Sequence, residues 1–157
     1  MKHKILVLHN IRSAQNVGAM FRTAEAIKID EIIISGYTAS PIDRFGRLEK
    51  KIAKSALGAE QMVAWRYSKN IIETLIELKQ EKYNIVCVEQ TKNSVDYKIH
   101  RPLDKEVIIM GNEVEGVAEE ILELSDDIIE LPMYGEKESL NVATSCGIVL
   151  YRLFDRH

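Results

Sequence analysis

Ile5-Leu6-Val7-Leu8, the stretch Ser13 to Lys28 and the run Ile32-Ile33-Ile34 together decide the fold class. Four apolar residues in a row, without alternation, predict a strand buried on both faces. Val17, Met20, Phe21, Ala24 and Ile27 then recur three and four positions apart, which predicts an amphipathic helix after a short loop. Ile32-Ile33-Ile34 is a second buried strand, stopped by Ser35-Gly36. Working outward, Thr38 to Lys54 is polar and basic and holds Pro41 and Gly46, so it reads as an exposed loop entering a helix near Leu48. Met62-Val63-Ala64 is a weak third strand. Ile71, Ile72, Leu75, Ile76 and Leu78 mark a helix. Further strands fall at Ile85-Val86-Cys87-Val88, Val107-Ile108-Ile109-Met110 and Ile128-Ile129-Glu130-Leu131. Ala118 to Leu124 is a short acidic helix, and Leu140 to Phe154 is a final helix apolar on more than one side. The alternation predicts an α/β fold with a mostly parallel sheet and helices on both faces. No repeat, linker or low-complexity segment interrupts it, so a single domain is expected over 1–157.

The chain has 157 residues, 46% of them hydrophobic and 29% charged, as in ordinary globular proteins. No apolar run approaches the ~20 residues needed to cross a bilayer, and the N-terminal apolar run is too brief for a secretory signal. Cys87 and Cys146 lie far apart in apolar segments, which indicates neither a disulfide framework nor a cysteine-based zinc site. A reducing cytoplasm is the expected location. The net charge of −3 conceals a division. Residues 1–70 hold 12 Lys and Arg against 6 Asp and Glu, whereas residues 71–157 hold 9 against 18. The basic half is where a polyanion would bind.

Ligands of open parallel sheets bind beyond the carboxyl ends of the strands. Three segments placed there carry more polar and special residues than a turn requires. The first is Asn10-Ile11-Arg12-Ser13-Ala14-Gln15-Asn16-Val17-Gly18, continuing to Arg22-Thr23. Asn16 stands near a helix start, where its side chain can cap free N–H groups. Gly18 permits close backbone approach, and Arg22 offers a forked donor set to a phosphate. An N-cap followed by a surface arginine accounts for the same spacing. The second segment is Met110-Gly111-Asn112-Glu113-Val114-Glu115-Gly116, whose glycines suit a backbone wrapped around a ligand. It is neither a P-loop nor a Gly-x-Gly-x-x-Gly fingerprint. The third is Leu131-Pro132-Met133-Tyr134-Gly135 with Ser139-Leu140-Asn141-Val142, in which Ser139 reads as an N-cap and Asn141 as a buried hydrogen-bonding group.

His3, His9, His100 and His157 form no metal-ligand pair, and no His and acid group around Ser139 to make a hydrolase triad. No metal site is expected. Arg44, Arg47, Lys50, Lys51 and Lys54 crowd together in a polar loop of the basic half; a charge run is usually a solvated face, but this one also suits phosphates. Trp65 and the tyrosines show no RNP-type stacking pattern.

Taken in order, the three segments resemble the motifs of the SpoU family of RNA ribose 2′-O-methyltransferases, within the SPOUT superfamily. The first resembles through Asn10, Arg12, Asn16, Gly18, Arg22 and Thr23-Ala24, the second through Gly111, Glu113 and Gly116. The third resembles through Leu131-Pro132-Met133, Gly135 and Ser139-Leu140-Asn141-Val142. Ser13-Ala14-Gln15 and Val114 depart from the commoner pattern. The resemblance implies a C-terminal deep trefoil knot, S-adenosyl-L-methionine as cofactor and a homodimer with sites near its interface. It assigns cofactor binding to Met110, Gly111, Asn112, Glu113, Gly116, Leu131, Met133, Gly135, Ser139 and Leu140. Catalytic roles would fall to Arg22, Asn16, Glu113, Ser139 and Asn141. In the family the arginine at the position of Arg22 is held to take the ribose proton; a phosphate clamp is the other role open to it. Arg12, Arg22, Arg44, Arg47, Lys50, Lys51 and Lys54 would face RNA. The chain begins at its first strand, without the extra N-terminal RNA-binding domain of many relatives, so the catalytic domain is expected to select its target. Lys54 to Glu60 and Val88-Glu89-Gln90-Thr91 are most similar to tRNA guanosine-18 methyltransferase domains, which favours tRNA over ribosomal RNA. Three other classes compete: a non-catalytic RNA-binding relative, a methyltransferase for proteins or small molecules, and a dinucleotide-binding domain.

Overall fold

Seven strands, all parallel, make one sheet in the computed structural model, which describes residues 2–155. Met1, Arg156 and His157, at the ends of the expected domain, lie outside the described residues. The strands are β1 (His3–His9), β2 (Glu31–Ser35), β3 (Ala64–Ser68), β4 (Asn84–Val88), β5 (Val95–Asp96), β6 (Lys105–Met110) and β7 (Asp127–Glu130). The helices are α1 (Ala14–Ala26), α2 (Lys50–Ala56), α3 (Ile71–Gln80), α4 (Glu119–Leu124) and α5 (Val142–Phe154). The sheet order is β3-β2-β1-β6-β4-β7-β5.

The unbroken apolar runs are explained by helices on both faces. Leu6, Leu8, Ile32, Ile34, Ile108 and Met110 pack against α1, α2 and α5, while Ile5, Val7, Ile33, Val107 and Ile109 pack against α3 and α4. Alternate side chains of one strand thus enter two separate cores. Fully buried residues such as Phe21, Leu6 and Ile33 each contribute about 1.5–3 kcal/mol of transfer free energy. Cys87 belongs to one core and Cys146 to the other, and burial pushes both thiols up to about 12.

Several boundaries differ from those expected. The third strand is Ala64–Ser68, not Met62 to Ala64; Met62 is 71% exposed beyond a short 3₁₀ turn. As an edge strand with the burial pattern of a half-exposed element, β3 has no buried run to betray it. Two-residue β5 is too short for any pattern. The helix expected near Leu48 begins at Lys50, where the Glu49 side chain accepts from Lys51 N. The helix after β1 is capped by Ser13, not Asn16, and the last helix by Asn141, not Ser139.

A parallel sheet sends every loop that follows a strand to the same edge. β1 lies between β2 and β6, so the segments after β1 and β6 are neighbours there. α5 returns from β7 to pack on α1, which brings the third segment back over the first. This order is consistent with the threaded C-terminus that the resemblance implies. Gly18 sits where α1 meets α2: a Cβ there would lie 1.9 Å from Ser55 Oγ and 2.5 Å from the Ile52 carbonyl oxygen. The close approach that glycine permits is therefore to the backbone of the basic helix.

Candidate active site

Glu113 is the joint between the first two segments. Its Oε2 accepts from the backbone N–H of Arg12 at 2.9 Å, and its Oε1 accepts from Ser13 N at 3.1 Å and Asn16 Nδ2 at 3.2 Å. Partial burial pushes this carboxyl up, but the N–H donors of Arg12 and Ser13 and the Asn16 amide outweigh it and hold it below the ordinary carboxylate range. Asn16 Oδ1 in turn accepts from Asn141 Nδ2 at 3.2 Å. The Asn141 oxygen accepts from Ala143 N and Thr144 N, closing the first turn of α5. One hydrogen-bonded chain, Glu113–Asn16–Asn141, thus ties all three segments. Asn141 is exposed, which corrects its expected burial.

The 111–116 loop is shaped by its own groups. Asn112 and Gly116 exchange two backbone hydrogen bonds of 3.0 Å. The buried Asn112 side chain accepts from Val114 N and Glu115 N and donates to Asn10 O and Tyr37 Oη. Its duty is to hold the loop. Gly116 has φ +72°, and a Cβ there would meet Glu89 Oε2 at 1.9 Å. That same oxygen accepts from Val117 N at 2.8 Å. Val114, which departs from the commoner pattern, is 80% exposed.

Beyond the carboxyl ends of β4, β6 and β7 opens a cavity of about 480 Å³. Of the residues expected to bind a cofactor, Met110, Gly111, Asn112, Glu113, Gly116, Leu131, Met133, Ser139 and Leu140 line it. Gly135 stands off the wall. Glu89, Gln90, Thr91 and Glu130 also line it and were not singled out as site residues, although they follow β4 or end β7 and the strand-end rule covers them. Among the described residues the wall holds Glu89, Glu113, Glu115, Glu130 and Glu138 and neither lysine nor arginine. Such a wall suits a cationic ligand and repels a pyrophosphate, which counts against the dinucleotide reading.

The Arg22 side chain is exposed on α1 and makes no hydrogen bond or ion pair among the described residues; neither does the Arg12 side chain. The structure therefore does not join Arg22 to Asn16 or Glu113. Among the basic residues, Arg47 pairs with Asp43 at 2.8 Å, and Arg44, Lys50, Lys51 and Lys54 form no ion pair among the described residues. No cluster of three or more His, Cys, Asp or Glu able to hold a metal occurs among them. Among the described residues no helix is long and apolar enough to cross a membrane.

The sequence pattern of the SpoU rRNA Methylase family matches residues 3–151. The chain belongs to this family. Among relatives of this SpoU protein, a 23S rRNA (guanosine-2′-O-)-methyltransferase, RlmB, of Neisseria meningitidis is 33% identical over 146 residues, covering 93% of this chain and 56% of the relative. A tRNA (guanosine(18)-2′-O)-methyltransferase of Aquifex aeolicus is 31% identical over 150 residues, covering 96% of this chain and 68% of the relative. The SpoU chain thus spans between about half and two thirds of these relatives. The crystal structure of the A. aeolicus TrmH/SpoU tRNA modifying enzyme superposes with a TM-score of 0.84 at 28% identity, covering 97% of this chain and 74% of that one. The AdoMet-bound rRNA methyltransferase of Sinorhizobium meliloti shares the fold with a TM-score of 0.84 at 24% identity, covering 96% and 55%.

Proposed function

We propose that this chain transfers a methyl group from S-adenosyl-L-methionine to a ribose 2′-hydroxyl of structured RNA, with guanosine 18 of tRNA as its target. One observation carries the reading: a single hydrogen-bonded chain, Glu113–Asn16–Asn141, joins the three family segments beside an acid-walled cavity. S-adenosylmethionine carries a sulfonium and an ammonium, and when bound it supplies an electrophilic methyl. Met110, Val117, Leu131 and Leu140 would hold its apolar parts, and the carboxylates of Glu115, Glu130 and Glu138, which accept no hydrogen bond among the described residues, would face its positive charge.

The protein's contribution to such a displacement is orientation and proton removal. Glu113 is committed to three donors and acts as a positioning residue. Asn16 and Asn141 retain spare amide donor capacity with which to orient the ribose. Arg22 serves as a phosphate clamp through its forked donor set, and the held phosphate relays the 2′-proton. Exposed Leu140, Ile148 and Tyr151 at and along α5 support a homodimer, and two buried, unpaired thiols suit a reducing cytoplasm.

Methyl transfer from labelled cofactor to tRNA, ribosomal RNA and protein tests the reading, with the methylated ribose mapped afterwards. Label at guanosine 18 is expected; label on protein alone refutes it. The similarity to the Neisseria enzyme favours ribosomal RNA as the second reading, and label confined to ribosomal RNA would establish that one instead.

A further inference from the structure

A second cavity, of about 330 Å³, shares no lining residue with the first. Pro41, Ile42, Leu48, Val63 and Trp65 give it apolar walls, and Glu60 gives it one charged group. Glu60 is 8% exposed. Its Oε2 is the only fully shielded side-chain nitrogen or oxygen without a hydrogen-bond partner among the described residues. Burying an unpaired carboxylate oxygen opposes folding. Oε1 has no hydrogen-bond partner among the described residues either and is not fully shielded, so a donor entering the cavity meets this carboxylate at Oε1 and reaches Oε2 once the side chain turns.

The hairpin that supplies Ile42 and Leu48 to this cavity is basic, with Arg47 paired to Asp43. Ile42 and Leu48 pair across an antiparallel bridge, and Asp43 N donates to Arg47 O within the same hairpin. At the hairpin's tip the Arg44 and Arg47 guanidiniums lie 4.7 and 5.0 Å from the ring centre of Phe45, which is 66% exposed. Lys50 and Lys51 follow at the start of α2. Positive charge on the segment that adjoins an apolar slot suits a phosphodiester that delivers a base into it.

We propose that this cavity binds an unpaired guanine of the RNA, at a point separate from the methylated ribose. The assignment rests on the RNA-methyltransferase reading above. A carboxylate only accepts hydrogen bonds. Guanine presents two adjacent donors, N1–H and the N2 amine, along one edge. Adenine and cytosine place a ring acceptor beside their single amine, and uracil flanks its one N–H with carbonyls, so each sets an acceptor against the Glu60 oxygens. The apolar walls and Trp65 receive the flat base, as unpaired RNA bases are commonly received. The cavity thus selects for sequence, while the basic hairpin contributes affinity without selecting.

Trp65 is the chain's single tryptophan, so its emission reports occupancy of this cavity. The test titrates the full chain with uridine heptamers carrying one central guanosine, inosine (no N2 amine) or adenosine, and with GMP alone. The guanosine heptamer is expected to quench Trp65 with about tenfold higher affinity than the other two, as a paired hydrogen-bond contact discriminates. Glu60→Gln is expected to erase that preference while salt-dependent binding persists. Leu48→Ala, at a rim position 61% exposed and therefore safe for folding, is expected to weaken guanosine binding several-fold. Equal affinity for the three heptamers overturns the proposal, as does a preference that survives Glu60→Gln. GMP binding as tightly as the heptamer overturns RNA as the source. Salt-dependent binding without base preference defeats this site alone, whereas no binding by any heptamer defeats the RNA reading as well.

Discussion

Glu113→Gln isolates what the joint between the first two segments contributes. The carboxylate receives three N–H donors, from Arg12, Ser13 and Asn16. A glutamine of the same shape keeps one acceptor oxygen and turns an NH₂ group towards at least one of those donors. Losing one charge-assisted bond and leaving its donor unpaired costs about 2 kcal/mol, somewhat less where water reaches Arg12. With a urea m-value of roughly 2 kcal/mol/M, the unfolding midpoint falls by about 1 M at pH 7. The pH dependence makes the reasoning specific. The folded pKa of Glu113 lies below its ordinary value of 4.5, so its contribution is present above that pH and lost as pH falls through the folded pKa. Protonated Glu113 closely resembles glutamine, so the gap between the two proteins should close as the solution is acidified. Urea titrations of both proteins from pH 7 down to pH 3 measure it. Equal stabilities at pH 7, or a gap that does not change with pH, would refute the account.

Arg22→Ala should reduce methyl transfer by about a hundredfold or more while cofactor affinity, read by calorimetry with S-adenosylhomocysteine, stays nearly unchanged; retained turnover would remove Arg22 from the mechanism. Arg22→Lys should keep part of the activity if the group clamps a phosphate, since an ammonium also binds phosphate. Replacing Arg47, Lys50 and Lys51 together by alanine should weaken RNA binding and lower the slope of log K against log salt by about 2 to 3; an unchanged slope would place the RNA elsewhere. At the opposite edge of the sheet, His100 Nε2 lies 2.5 Å from the fully buried Glu106, and its Nδ1 lies 3.6 Å from Asp127. The hydrogen bond to Glu106 raises the His100 pKa against its partial burial. Its stabilisation is therefore complete below pH 6.5 and lost as pH rises through the raised value. Thermal melts of His100→Gln beside the parent should differ most at pH 5.5 to 6 and converge towards pH 9.

The alternation of buried strands and amphipathic helices was legible because a strand covered on both faces must be apolar at every position, as Ile5 to Leu8 and Val107 to Met110 are. Edge strands β3 and β5 escaped because one of their sides faces solvent and places no such demand on composition. Most of the wall of the cavity at the carboxyl edge was legible too, through glycines that follow strands and through the family's motifs. Sequence by itself therefore determined the fold class, the family and the residues that meet at the carboxyl edge of the sheet. Only the tertiary structure decided what those residues do to one another. That Glu113 clamps the 12–13 backbone, that Asn141 caps α5 while holding Asn16, and that Gly116 makes room for Glu89 all depend on strand order. β1 beside β6 brings together residues about a hundred positions apart, and no local pattern encodes that adjacency. The same holds for Glu60, an unremarked acid in sequence, whose oxygen is left without a partner only once β3 and the 42–48 hairpin close around it.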